Sequence, residues 1–208
     1  MSPTKGAQTR AAILDAALKL ASRLGLEGLT IGGLAEVTGM SKSGLFAHFG
    51  SREELQLAVL DHGAQRYGEM VLMPVLKIER GLPRLRALFE RWLDWTTASG
   101  LPGGCIMISA ANEYDDRPGP IRDAVIANRR RGNAVLEKAV RLAIEEGHLG
   151  PQTDPEQICF EILGIVLANH DHRRLLGDRE ARKRALTAFE ELIARHVTTR
   201  RPLKAVSR

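Results

Sequence analysis

The chain has 208 residues, a formal net charge of +5 and a pI near 9.6. With 44% hydrophobic and 26% charged residues it reads as a folded chain of one or two domains, not a disordered or fibrous one. Only Cys105 and Cys159 are present, MSPTKGAQTR lacks a signal-peptide core, and no apolar run nears the ~18 residues of a membrane span. These exclude a disulfide scaffold and predict a cytoplasmic protein with no membrane partner; the basic charge admits a polyanion without requiring one.

A first helix is expected from about Thr9 to Leu24, with Ile13, Ala17, Leu20 and Leu24 on one stripe and Gly25 as its stop. Lys5 and Arg10 fall in or near an N-terminal arm that either touches phosphate or is simply solvated. The next stretch, Leu29 to Leu55, reads LTIGGLAEVTGMSKSGLFAHFGSREEL. Thr30 caps a short helix over Ile31 to Thr38. Gly39 takes the positive φ of a turn, and Met40 plugs that turn. Ser41 caps a second short helix ending at Phe49, and Gly50 closes it. Ser51-Arg52-Glu53-Glu54 reads as a capping box that opens a third helix. Two short helices across a tight glycine turn make a helix-turn-helix. Leu45 and Phe49 are i, i+4 partners and belong to the core. Lys42 and Ser43 lead the second helix, and His48 flanks it.

On these residues the segment resembles the DNA-binding unit of TetR-family transcriptional regulators. Ser41, Gly44, Phe49, Gly50 and Glu54 stand where that pattern expects them, and the resemblance covers roughly Arg10 to Leu60. It implies an all-α fold. A three-helix DNA-binding head would span residues 1–50, and a helical effector-binding and dimerisation domain residues 51–208. It also implies DNA contacts from Thr30, Ser41, Lys42, Ser43, Gly44, Phe46, His48 and Arg52. Lys42 and Arg52 are expected at phosphates, Thr30 at the opposite flank, and Ser43, Gly44 and His48 near the bases. Two features depart from the family. Phe46 stands where the family usually carries Tyr, so a phosphate-bonding hydroxyl is missing and only apolar contact remains. Gly32-Gly33 costs about 1 kcal/mol per residue relative to Ala and predicts a frayed start to its helix.

The third helix is expected to run from Ser51 to about Met73, with a break or kink at Pro74, and to act as a lever between the domains. Beyond it the sequence is helical throughout. Pro83 opens a helix with a face of Leu85, Leu88, Phe89, Trp92 and Leu93. A glycine-rich loop precedes a short helix from Cys105 to about Tyr114. A long helix follows over about Ile121 to Glu146. Asp154 caps, and Pro155 begins, a helix whose centre from Ile158 to Ala168 is apolar almost all round. The last helix carries Ala185, Ala188, Phe189, Leu192, Ile193, His196 and Val197 on one stripe. The two last helices are expected to form a four-helix interface with a second copy. The tail from Thr198, with Arg200, Arg201, Lys204 and Arg208, reads as mobile. No strand-period segment, repeat or low-complexity tract is visible.

No catalytic set is visible: there is no GxSxG, no Walker-type loop and no CxxC, so no enzyme and no cofactor is expected. His170 and His172 are two apart on a helix and point away from each other, which argues against a metal. Trp92, Trp95, Met107, Ile108 and Phe160 are the residues assigned to an effector cavity, on the strength of the family's habit of holding a ligand in its second domain. Cys105 precedes a helix, where the dipole would lower its pKa; it is either a redox or electrophile sensor or a buried, inert thiol. The implied mechanism is a homodimeric repressor released from a palindromic operator by an unknown small-molecule effector. The alternative is a ligand-independent or protein-partnered DNA-binding regulator.

Overall fold

The computed structural model describes residues 4–197, so the basic tail from Thr198 lies outside the described residues. The elements are α1 (Lys5–Leu24), α2 (Ile31–Thr38), α3 (Lys42–Phe49), α4 (Arg52–Tyr67), a π-helical turn (Gly68–Leu72), α5 (Met73–Val75), α6 (Leu82–Ala98), α7 (Ile106–Tyr114), α8 (Pro120–Glu145), α9 (Pro155–Arg174) and α10 (Ala181–Ala194). The segments from Arg52 to Val75 form one rod, so nine helical bodies stand among the described residues.

The head forms as its caps dictate. α1 starts four residues before the expected Thr9, because the Thr4 hydroxyl accepts from the Ala7 N–H at 3.3 Å. Ile13, Leu14, Ala17, Leu18 and Ala21 bury one face of α1 against the rest of the core. Leu24 is exposed instead, because Gly25 turns the chain and hands the buried slot to Leu26. Despite Gly32 and Gly33, α2 begins cleanly at Ile31: the Thr30 hydroxyl accepts from the Gly33 N–H at 3.0 Å. Gly39 adopts φ 68°, a left-handed conformation that costs a glycine little.

The rod departs from a plain helix near Pro74. Proline has no N–H, so the Met70 carbonyl loses its ordinary i+4 donor. The backbone widens into the π-helical turn, in which the Met73 N–H bonds to the Gly68 carbonyl. Arg91 Nη1 reaches the Met70 carbonyl at 3.5 Å. The rod therefore adapts where the sequence predicts a break.

In the second domain α8 packs against α4, α6, α7 and α9, and α10 packs on α9. Leu85, Leu88, Phe89 and Leu93 of α6 are buried, and Phe89 stacks on Phe189 of α10 with ring centroids 4.1 Å apart. The Asp154 carboxylate accepts from the Glu156 and Gln157 N–H groups, and Pro155 occupies the first turn of α9. At its other end His172, Arg173 and Arg174 complement the helix dipole. No described helix is long and apolar enough to cross a membrane.

Candidate DNA interface and effector cavity

Ser41 places α3. Its hydroxyl accepts from the Gly44 N–H at 3.1 Å and lies 3.2 Å from the Ser43 hydroxyl. Gly44 serves this cap directly, since a Cβ there would sit 3.1 Å from the Ser41 oxygen. Leu45 and Phe49 are buried and fix α3 on the head. Lys42, Ser43, Phe46 and Ala47 then share one exposed face, within about 140° of arc at 100° per residue. Phe46 is 49% exposed, an apolar ring presented to the outside. Ala47 completes this face; the signal for it was its i+4 relation to Ser43. His48 lies off the face, half-buried, with its ring 6.2 Å from that of Phe49. Lys42 leans across Gly32 of α2. Thr30 is exposed at the start of α2 but already occupied by its cap.

Arg10 and Arg52, both exposed, also make contacts within the head. The Arg10 guanidinium stacks 5.0 Å from the Phe49 ring centroid and braces the back of α3. Arg52 faces inward. Its Nε donates to the Leu29 carbonyl at 3.0 Å, and its Nη2 donates to the Glu27 carbonyl and, at 3.2 Å, to Glu27 Oε2. It ties the α1–α2 loop to α4, because that loop's carbonyls have no helical partner of their own. The capping box at Ser51 is half formed. The Ser51 hydroxyl accepts from the Glu54 N–H at 3.0 Å, whereas the Ser51 N–H is taken by the Phe49 carbonyl.

A cavity of about 300 Å³ opens in the second domain between α4, α6, α7 and α8. Trp92, Met107 and Ile108 line it, together with Tyr67, Leu88 and Leu136. Trp95 does not: it is buried behind the cavity, edge-on to Tyr67 at 5.6 Å. Phe160 does not either. It is 73% exposed on α9, because that helix turns Ile158, Cys159 and Ile162 inward instead. The α8 wall, which composition gave no reason to single out, contributes Asn128, Arg129, Arg131, Gly132 and Asn133. Cys105 borders the cavity, and burial pushes its thiol pKa up, against the helix-dipole effect. The sulfur is thus held as a protonated thiol, the inert form. Among the described residues no group of three or more His, Cys, Asp or Glu is arranged for a metal.

Comparison with known proteins decides the family. The model for the C-terminal domain of Tetracyclin repressor-like proteins matches residues 81–189, and that for bacterial regulatory proteins of the tetR family matches residues 13–59. The chain belongs to the TetR family. It is accordingly a DNA-binding transcriptional regulator and not an enzyme. The HTH-type transcriptional repressor ComR of Escherichia coli is 26% identical over 159 residues, which is 76% of this chain and 75% of ComR. AcnR of Corynebacterium glutamicum, another repressor, is 39% identical over 67 residues, 32% of this chain and 36% of its own length. A TetR regulator from Chloroflexus aurantiacus shares the fold at a TM-score of 0.85 and 23% identity, covering 93% of this chain and 99% of that one. AibR, solved with isovaleryl coenzyme A and operator DNA, superposes at a TM-score of 0.68 and 25% identity, covering 89% and 97%.

In this TetR-family chain the head and the second domain meet at the C-terminal end of α7. The Glu113 carboxylate accepts from the backbone N–H groups of Leu26 at 3.2 Å and Glu27 at 3.0 Å. The Tyr114 hydroxyl donates to Glu27 Oε1 at 2.6 Å. That bond, with burial opposing it and Arg52 and Arg117 assisting, holds the Glu27 carboxyl below the usual carboxylate range. Beside it, the loop before α7 passes so close to α1 that a Cβ on Gly103 would lie 1.3 Å from the Ser22 carbonyl oxygen. Only glycine fits there. The Gly103 N–H donates to the Ser22 hydroxyl at 3.1 Å. None of these cross-domain pairs shows a signal in the sequence, since each joins residues more than 80 apart.

Proposed function

We propose that the chain acts as a homodimeric repressor, bound to a palindromic operator and released when a small apolar or amphipathic molecule fills the cavity. The head is taken as residues 1–50 and the effector and dimerisation domain as residues 51–208. The observation that carries this reading is the two-ended placement of α7. Its N-terminal residues Met107 and Ile108 line the cavity, and its C-terminal residues Glu113 and Tyr114 hold the α1–α2 loop of the head. A shift of α7 on ligand binding moves the head relative to α4. The ligand must prefer the shifted state, because equal affinity for both shifts nothing.

On the operator, Lys42, Ser43, Phe46 and Ala47 face the major groove, with Ser41, Gly44, Thr30 and His48 at its edges. Two heads related by a two-fold axis meet half-sites about 34–36 Å apart. AibR, whose crystals hold both an acyl-coenzyme A and operator DNA, supports a ligand-gated reading at the level of kinship.

The test is selection of bound sites from random DNA, followed by titration of the selected site with compounds that fill the cavity. A palindrome and a saturable loss of DNA affinity are expected. Operator binding that no cavity-filling compound changes, in the full-length protein, sinks the ligand-gated reading and leaves a ligand-independent or protein-partnered regulator.

A further inference from the structure

We infer that the cavity takes an anionic amphiphile, with its apolar body among Trp92, Met107, Ile108 and Leu136 and its carboxylate or phosphate at Arg129 and Arg131. The inference rests on the effector reading above and names the chemical class of the ligand.

Charge is the first support. The cavity lining contains two guanidinium groups and no carboxylate. Among the described residues, no carboxylate lies within 4.0 Å of Arg129, Arg130 or Arg131. Arg52, Arg86, Arg141 and Arg195, by contrast, each hold one, and Arg80 holds two. Arginine remains charged at every physiological pH, and its planar fork matches a carboxylate or phosphate. Two unpaired guanidiniums beside an apolar cavity therefore favour an anion at its edge.

Placement is the second. Arg129 is half-buried on α8, and its charge is felt by the Cys105 thiol, which borders the same cavity. Arg131 Nη2 donates to Asn128 Oδ1 at 2.6 Å, and Asn128 Nδ2 donates to the Ala124 carbonyl at 3.1 Å. The second guanidinium is thus held along α8 rather than left to sweep through solvent.

Room is the third. Gly132 sits inside a 26-residue helix, where glycine costs about 1 kcal/mol relative to Ala. A Cβ there meets nothing within 4 Å among the described residues, so no contact among them requires a glycine. Its effect is to leave open the mouth between Arg131 and Asn133. The cavity of about 300 Å³ lies at the small end of ligand sites. At ~30 Å³ per water-sized group it holds on the order of ten heavy atoms, a short acyl or phenylalkyl body.

The test is calorimetric titration of the DNA-free protein with matched pairs: octanoate against octanol, and 4-phenylbutyrate against 4-phenylbutanol. Octanoyl-coenzyme A forms a separate arm. The acids should bind about tenfold or more tightly than the alcohols, and the preference should shrink as salt rises. In the double variant Arg129→Gln/Arg131→Gln the preference should collapse to near unity with alcohol affinity unchanged. Arg130→Gln, which changes an exposed arginine outside the cavity lining, should keep it. Tighter binding of the thioester than of octanoate, lost in the double variant, assigns the anion to a phosphorylated carrier; the reverse order assigns it to a free acid. Alcohols that bind as well as acids, a preference that survives in the double variant, or no binding by any probe each overturn the inference. Operator release by an alcohol would overturn it while leaving the ligand-gated reading in place.

Discussion

The Tyr114 hydroxyl and the Glu27 carboxylate meet at 2.6 Å, one from the helix that borders the cavity and the other from the α1–α2 loop of the head. A short bond to a charged acceptor is among the stronger kinds, at about 1.5–3 kcal/mol before solvent screening. Tyr114 is buried, whereas Glu27 is about half exposed, so the net contribution falls toward the lower end.

Coupling should therefore pass through this contact. Tyr114→Phe should leave the cavity intact and retain most of the operator affinity of the ligand-free protein. The ratio of operator affinities without and with ligand should fall several-fold, because α7 then grips the loop through Glu113 alone. Measurement of that ratio by fluorescence anisotropy decides it. An unchanged ratio, with a drop in thermal stability alone, would make the contact purely structural.

Glu27 also sets an acid dependence. Its folded pKa lies below the ordinary value, through Tyr114 against burial, then Arg52 and Arg117. The stabilisation is therefore fully present above the unfolded carboxyl value of about 4.3 and is lost as pH falls through the folded pKa. Asp15 behaves alike: burial opposes its charge, but His62 at 2.8 Å and Arg66 at 3.2 Å outweigh that. Urea unfolding from pH 7 to pH 3 should show a shallower loss of stability in Glu27→Gln than in the wild type. Parallel curves would remove Glu27 from the account.

Much of the head was legible from sequence because its signals are local. The caps at Thr30, Ser41 and Ser51 and the Gly39 turn depend on neighbours three residues away, and all form. The contacts that Arg52 makes within the chain were not legible. Its position at the start of α4 suggests phosphate, yet its partners are Glu27 and Leu29, more than 20 residues upstream. The cavity was partly legible for the same reason. Trp92 falls on a periodic face, but periodicity on α9 could not say which of its apolar sides turns inward, and Phe160 turns out. Nothing local in the sequence places Arg129 and Arg131 at the cavity, because their relation to α7 is purely tertiary.

The division of labour in the head follows from these positions. Lys42→Ala should weaken binding to operator and scrambled DNA alike and reduce the salt slope by about one charge per head. Arg52→Ala should leave that slope unchanged and destabilise the head by about 1 kcal/mol, since its bonds are to loop carbonyls at a partly exposed site. Phe46→Ala should relax preference at one base position per half-site, at about 1–3 kcal/mol, through loss of apolar contact. Titrations at several salt concentrations, paired with denaturant unfolding, separate the three. A flattened slope in Arg52→Ala would return that residue to the phosphate backbone.

Assembly is tested on the face that α9 leaves uncovered. Phe160, Gly164 and Leu167 follow one another at i, i+4 and i+7 and are all exposed. Leu163 beside them is half-buried, and Phe160 at 73% exposure makes little contact within its own chain. A ring that size costs about 1.5–3 kcal/mol to leave in water rather than bury, so a stripe containing it favours a self-complementary two-fold contact. Alongside it α10 buries Phe189, Leu192 and Ile193 within the monomer, so substitutions there would damage the fold as well as any interface. Phe160→Asp and Leu167→Asp are the cleaner probes, because neither side chain belongs to the monomer's core. Each should convert a dimer into a folded monomer with helical content retained, and cooperative binding to a palindrome should disappear while weak half-site binding persists. Sedimentation velocity at micromolar concentration reads the first outcome and operator titration the second. A wild-type protein that sediments as a monomer, or variants that stay dimeric, would place the dimer contact elsewhere or abolish it.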